Sequence, residues 1–349
     1  MKTPIARIAL MTLGAVCVAF LLPAETYSWN QATHAYIADR LGARVGHNNL
    51  NEMWGSAAPD MYNFVFAPAL CPGWIAEQTQ GTYTETFLKV RDAAGTDAEE
   101  ALAYGFVSHN EQWGADHIAH EACLTCGQPG GYIIVKAKLL LTTPVSLTEP
   151  QQSFGEAFAA LGIGPDEGLL IAHLITEYAV DIRLTKEVAP RLGRKLATAA
   201  RSVTKGFPPL LIKAFAADYA AECFGGDHTT AASVLTSVEK GHRKDMIFLG
   251  QAISQPEPVA EQLLAEQIVG ILPDFLGAPL PVSDEEAVEI MKAAIAAAVS
   301  LCDDYRAEIE ATIEFVGNNL KDHGIIHSTK AAAERQEATA PSGKKEKTP

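Results

Sequence analysis

The sequence predicts an all-α protein, a compact multi-helix bundle with additional helices toward its C-terminus. Three observations carry that expectation. Apolar residues recur at intervals of three and four through segment after segment, the spacing of one helix face. The best strand signal is a single short run, Gly131-Tyr-Ile-Ile-Val. With 48% hydrophobic and 20% charged residues in a chain of 349, there is apolar material for a sizeable core.

The elements follow in order. The opening places Lys2 and Arg7 before an uncharged, largely apolar run from Ile8 to Leu22, then Pro23-Ala24. That is the layout of an export signal. The run is shorter than the roughly 20 residues of a membrane span. Residues 1–28 are therefore expected to be a cleaved signal peptide, with an uncleaved anchor as the alternative, and the protein to be secreted or periplasmic. Cleavage after Ala24 or after Ser28 fits, and the second would make Trp29 the mature N-terminus. Gln31 to Leu41 reads as an amphipathic helix. Residues 59–84 mix Pro and Gly with aromatics and read as a long ordered loop. Ala98 to Ala122 reads as one long helix running into the turn cluster Cys126-Gly-Gln-Pro-Gly-Gly131. A helix opens at Pro165-Asp-Glu-Gly and runs to about Val188, its acids suiting a helix N-terminus. Ala-rich helical stretches follow near 210–223, 229–250, 257–272, 283–302 and 303–320, separated by Gly and Pro. Residues 29–185 form the expected metal-binding core and 186–328 an additional helical region packed on it. Residues 329–349 form a polar tail, expected to be disordered.

Charge and cysteine content narrow the function. The 27 Lys and Arg against 42 Asp and Glu give a net charge of −15. A protein that holds nucleic acid by broad neutralisation needs a basic face, so no stable nucleic-acid partner is expected. The acidic balance leaves room for an enzyme that grips phosphate through metal ions. Six cysteines are too few for a disulfide-built scaffold. Cys123-Leu-Thr-Cys126 could be half a zinc ribbon, a redox pair or a local disulfide, and no second C-x-x-C supports the ribbon. In an exported chain, disulfides involving Cys71 and this loop are expected, and an odd count in the mature chain leaves at least one thiol over.

Four constellations carry chemistry. A helix turns about 100° per residue. On a continuous helix from His109, Asp116 would lie about −20° away and His120 about +20°, one narrow stripe. Two imidazoles and a carboxylate on one face can chelate a cation such as zinc; His117 points off the stripe. His173 and Glu177, at i,i+4, share a face of an otherwise apolar helix, and Asp181 extends it. Buried charges need a partner or a metal. Asp181 could orient a ligand or pair with Arg183 instead. His34 begins a helix just after Trp29. Asp60 follows Ala-Pro in a loop, where a carboxylate can also simply cap a helix.

With these segments in this order, the chain resembles the zinc-dependent phospholipase C family, whose fold is shared with zinc-dependent single-strand nucleases. Trp29 and His34 are five residues apart, as in the nuclease branch. Asp60 stands in the Pro-Asp context of the bacterial phospholipase-like branch, and Gly105-Phe-Val-Ser-His109 looks like that branch's Gly-x-x-Ser-His signature. His173-x-x-x-Glu177 matches the last helical pair. The resemblance covers about residues 29–185. It departs from the family in the His109-x6-Asp116-x3-His120 spacing. It also lacks the family's histidine between the loop Asp and this helix: no His occurs between His47 and His109, and the stretch near Thr82-Tyr83-Thr84 offers no good ligand.

The resemblance implies a phospholipase C/nuclease-like bundle holding two or three Zn2+ ions. The implied ligands are Trp29, His34, Asp60, His109, Asp116, His120, His173 and Glu177. Trp29 would act through its α-amino group and carbonyl once cleavage exposes it. Asp116 is the expected bridge between metals, and Asp60 a ligand or the general base. The implied activity is phospholipase C-type hydrolysis of phospholipids or other phosphodiesters by a metal-activated water, with peripheral membrane contact. Nuclease or nucleotidase action, or metal binding without catalysis, are the alternatives. Tyr62, Phe64, Phe66 and Trp74 could border a cleft or pack their own loop.

Overall fold

The computed structural model describes residues 29–42, 46–62, 85–145 and 152–325. Residues 1–28, expected to be a signal peptide, and Phe64, Phe66, Cys71, Trp74, Thr82 to Thr84 and residues 329–349 lie outside the described residues. Among the described residues the chain forms fourteen α-helices and no strand. They are α1 (Gln31–Leu41), α2 (His47–Ala57), α3 (Leu88–Ala93), α4 (Asp97–His109), α5 (Ala115–His120), α6 (Tyr132–Thr142) and α7 (Phe154–Ala160). Then come α8 (Pro165–Glu187), α9 (Leu192–Ser202), α10 (Phe207–Cys223), α11 (His228–Ala252), α12 (Glu257–Leu276), α13 (Asp284–Leu301) and α14 (Tyr305–Asp322). A 3-10 turn over Pro59–Tyr62 follows α2. No single described helix is long and apolar enough to cross a membrane.

Local chemistry explains where the helices start. The Asn30 side chain accepts from the Gln31 N–H at the head of α1, and Thr96 accepts from Glu99 N–H at the head of α4. Ser153 and Glu156 form a reciprocal capping box on α7. Pro165, Asp166 and Glu167 occupy the first turn of α8, where a missing N–H costs nothing and negative charge meets the helix dipole.

Two sequence expectations are corrected. The helix expected from Ala98 to Ala122 is two helices. Asn110 leaves helical geometry, and its carboxamide oxygen accepts from the N–H groups of Gln112, Trp113 and Gly114 at 2.9, 2.9 and 3.2 Å. The chain therefore turns through 111–114. Gly114 is needed there, because a Cβ would sit 2.5 Å from Asn110 backbone atoms. The run after Gly131 is helix α6 rather than strand. Tyr132, Ile133, Lys136, Ala137 and Leu140 are buried at helical spacing, and this packing overrides the β-propensity of Ile-Ile-Val.

One hydrophobic core runs from Trp29 to Ile325 and takes residues from both sides of position 185. Its tightest passage is the crossing of α2 and α4. A Cβ on Gly55 would lie 2.0 Å from the Leu102 carbonyl oxygen, and one on Gly105 would lie 2.1 Å from that of Glu52. The two backbones touch there because neither glycine has a side chain. Helix α1 is tied to α8 by Asp181, whose Oδ1 accepts from the Thr33 N–H at 2.8 Å and its hydroxyl at 2.7 Å. Arg183 pairs with Glu187 at 2.9 Å, so Asp181 serves as an anchor for α1.

The C-terminal helices close on the same body. Lys136 Nζ donates to the Leu301 carbonyl and to Asp304, both at 2.9 Å. Arg183 reaches the Val299 carbonyl at 2.8 Å. Glu308, fully buried on α14, accepts from the backbone N–H groups of Leu124 and Thr125 at 2.7 and 2.8 Å. Those residues form the tip of the Cys123–Cys126 loop, and the two cysteines are joined in a disulfide, which excludes the zinc-ribbon reading. Cys302 is a buried free thiol.

Gly105→Ala should cost roughly 2 to 3 kcal/mol in urea unfolding, because backbone faces the added methyl. Burial pushes the Asp181 carboxyl up to about 8. An acid raised in this way contributes stability fully present below its unfolded value of about 4 and lost as pH rises through 8. Asp181→Asn, which keeps the acceptor, should remove that loss between pH 4 and 8. Asp181→Ala should cost about 2 kcal/mol or more, by stranding the Thr33 donors.

Candidate metal centre

The glycine crossing brings the end of α2 against the end of α4. The Ser56 carbonyl then accepts a hydrogen bond from His109 Nδ1 at 2.8 Å. A carbonyl can only accept, so Nδ1 carries the proton and Nε2 is the free-facing nitrogen of the neutral ring. That nitrogen meets Asp116 Oδ2 at 2.9 Å and Asp60 Oδ1 at 3.6 Å. A lone pair facing two carboxylates repels them. The arrangement is stable only with a cation between them, either a proton or a metal ion.

In the metal-free protein the proton takes that place. Burial pulls the His109 imidazolium down, but the charges of Asp116 and Asp60 outweigh it and push its pKa up to about 9. His34, in the first turn of α1, stacks on His109 with ring centres 4.0 Å apart. Its Nε2 lies 3.1 Å from Asp116 Oδ1, and the Trp29 backbone accepts a further hydrogen bond from the ring. Burial and the His109 charge lower its pKa to about 4, so it is a neutral imidazole at physiological pH. Burial works to raise Asp116, but the charges of His109 and His120 and hydrogen bonds with His109 and His34 hold it well below the usual carboxylate range.

A second group adjoins the first. His120 closes α5, and its Nδ1 lies 2.7 Å from Glu111 Oε1. Burial, then the Asp116 charge, pushes the Glu111 carboxyl well above its ordinary value. The His120 ring is 5.8 Å from that of His173, whose Nε2 lies 2.7 Å from Glu177 Oε1.

Two three-donor sets result. His34, His109 and Asp116 offer ligand atoms all within 4.8 Å of one another, and so do Glu111, Asp116 and His120. Either set can hold a metal ion. Asp116 belongs to both. His34, Asp60, His109 and Asp116 are only 1–3% exposed.

The structure therefore gathers the sequence-derived residues into one buried chain of neighbours. Four of them, His34, His109, Asp116 and His120, supply the two donor sets. Asp60 stands at the edge beside His109 and takes a hydrogen bond from Gln31 at 3.3 Å. His173 and Glu177 stand behind His120. Trp29 enters through its backbone, its indole stacked on Tyr132 at 5.3 Å. His117 turns away to stack on Phe315, and Tyr62 is buried in the core. The single-stripe geometry expected for His109, Asp116 and His120 is replaced by the meeting of two helix ends across the Asn110 turn. Glu111 was missed because a continuous helix points it about 140° away from Asp116. The Asn110 and Gly114 turn residues were the available signal.

The chain matches no known protein-family model, no curated protein and no solved structure.

Metal at the His34, His109 and Asp116 set must displace the His109 proton. Metal affinity should therefore rise with pH up to about 9, where that proton is lost. Titration calorimetry with zinc at pH 7 in buffers of different ionisation enthalpy should show about one proton released per ion bound to this set.

Proposed function

We propose that the protein is an exported zinc-dependent phosphodiesterase that hydrolyses phospholipids by phospholipase C-type chemistry. The observation that carries this reading is the sharing of Asp116 between two donor sets. One carboxylate serving two adjacent cation positions is the framework of a two-metal phosphoryl-transfer site. The donor types, neutral imidazole and carboxylate without thiolate, suit zinc. Zinc at these positions supplies Lewis acidity toward phosphoryl oxygens and toward water near neutral pH.

The chain's own residues have separable parts in this reading. His34, His109 and Asp116 hold one ion. Glu111, Asp116 and His120 hold a second, with His173 and Glu177 beside them. The Ser56 carbonyl fixes the His109 tautomer and ring orientation, as a partner behind a ligand does. Asp60, 3.6 Å from His109 Nε2, is placed either to complete the first set or to accept a proton from water. The Asp181 bonds to Thr33 hold α1 so that His34 faces Asp116.

The burial of the donors favours a second reading, a metal centre that supports the fold without turnover. Elemental analysis after zinc-supplemented purification, paired with assays on phosphatidylcholine and single-stranded DNA, separates them. The phosphodiesterase reading expects one or more zinc ions per chain and hydrolysis of phosphatidylcholine. His109→Ala should lose metal and lower turnover at least about 100-fold. His173→Ala should weaken both. Metal retained with no turnover on either substrate supports the structural centre, DNA cleavage alone supports a nuclease, and fewer than about one zinc per chain rejects all three.

A further inference from the structure

The chain's longest stretch without Asp or Glu is also rich in cations. Between Glu187 and Asp218 it carries Arg191, Arg194, Lys195, Arg201, Lys205 and Lys213 and no Asp or Glu. Three of these cations gather at the start of α9. Arg191 caps the helix, and Arg194 and Lys195 lie one turn on, at i+3 and i+4 from it. Together with Leu50 and Thr198 they line a surface depression of about 360 Å3.

The local electrostatics are unfavourable as they stand. The N-terminus of a helix is its positive end, and cations there are repelled. Helix α9 has no acid in its first turn and no side-chain hydrogen bond at its cap. Lys195 is answered by Asp39 at 3.0 Å, and Asp39 also accepts from Asn49 at 2.8 Å. Arg191 and Arg194 have no side-chain ion pair among the described residues, and both are exposed. The Thr198 hydroxyl donates to the Arg194 carbonyl at 2.7 Å, so recognition falls to the guanidinium groups.

We propose that this depression binds a phosphate-type anion. Two planar guanidinium forks one turn apart suit a tetrahedral oxyanion that accepts from several directions. The helix end adds its own positive field. The depression is open to solvent, so it can admit a phosphate group while leaving the rest of its molecule outside. The site is separate from the metal centre. The metal donors use the start of α1 (His34) and the end of α2 (Ser56). The depression lies at the opposite end of that antiparallel pair, where Leu50 lines it and Asp39 pairs with Lys195. It does not rest on the phosphodiesterase reading.

The shared chemistry could be presented by a lipid headgroup or by a soluble phosphate. Two arms distinguish them, using the purified full chain. The first titrates inorganic phosphate and follows binding by calorimetry. The second measures cosedimentation with phosphatidylcholine vesicles containing about one-fifth phosphatidylglycerol, and with vesicles of phosphatidylcholine alone, at low and high salt. Arg191→Gln/Arg194→Gln should weaken the binding at least about tenfold. Lys240→Gln/Lys321→Gln, which removes the same charge from exposed positions elsewhere, should leave it unchanged. Both pairs lie at the surface, and circular dichroism checks that each variant folds. Phosphate binding sensitive to the arginine pair supports a soluble ester. Sensitive binding confined to the anionic vesicles supports a headgroup. The proposal is overturned if neither probe binds, or if the two double variants behave alike.

Discussion

The contact of two bare backbones at Gly55 and Gly105 sets the position of nearly everything chemical in this protein. With no side chain between them, α2 and α4 approach until carbonyl oxygens fill the space where Cβ atoms would be. One residue past Gly55, the Ser56 carbonyl then reaches the ring of His109. The 3-10 turn that leaves α2 carries Asp60 to the other side of the same ring. A larger residue at either glycine would separate the helices and withdraw both partners from His109 together. Packing and site geometry are here one constraint, since the close approach that consolidates the core also orients the imidazole.

The buried carboxylates divide into two kinds by what faces them. Asp181 faces the N–H and hydroxyl of Thr33, and Glu308 faces the backbone N–H groups of Leu124 and Thr125. These are acceptors answered by donors, and they join elements. Glu111, Asp116 and the Oδ1 of Asp60 face imidazole nitrogens instead, where acceptors meet acceptors unless protons or metal ions intervene, while the other oxygen of Asp60 takes a bond from Gln31. Buried charge is tolerated when it is paired and costly otherwise. The opposite shifts of neighbouring groups express that frustration: one histidine is driven up to about 9 and its stacked neighbour down to about 4.

Much of this was legible in the sequence, and the rest was hidden for physical reasons. Helix α1 and the later helices follow from apolar spacing and from capping and breaking residues, signals that act over one or two turns. The pairing of His173 with Glu177 is also local, because i,i+4 on a helix is a contact by construction. Asp116 stands out by type and position, yet helical spacing brings it to the face of His109 only on a continuous helix. The residues meet because Asn110 captures three N–H groups and turns the chain. Short-range polar competition of this kind is invisible to periodicity. Glu111 was unreadable until the turn was known, and the role of Ser56 depends on a backbone atom whose identity carries no sequence signal at all. Ile133 to Val135 misled in the opposite direction, since their β-propensity yielded to burial against α8 and α13.

The grip of Glu308 on the loop after α5 has a consequence for how the protein comes into being. That loop begins three residues beyond His120, and the hand that holds it belongs to the last of the described helices. A ribosome must deliver most of the polypeptide before the segment carrying Asp116 and His120 acquires its final support. A chain cut before α14 would lack both of these bonds, so removing a segment nearly two hundred residues away would loosen the end of the helix that carries Asp116 and His120.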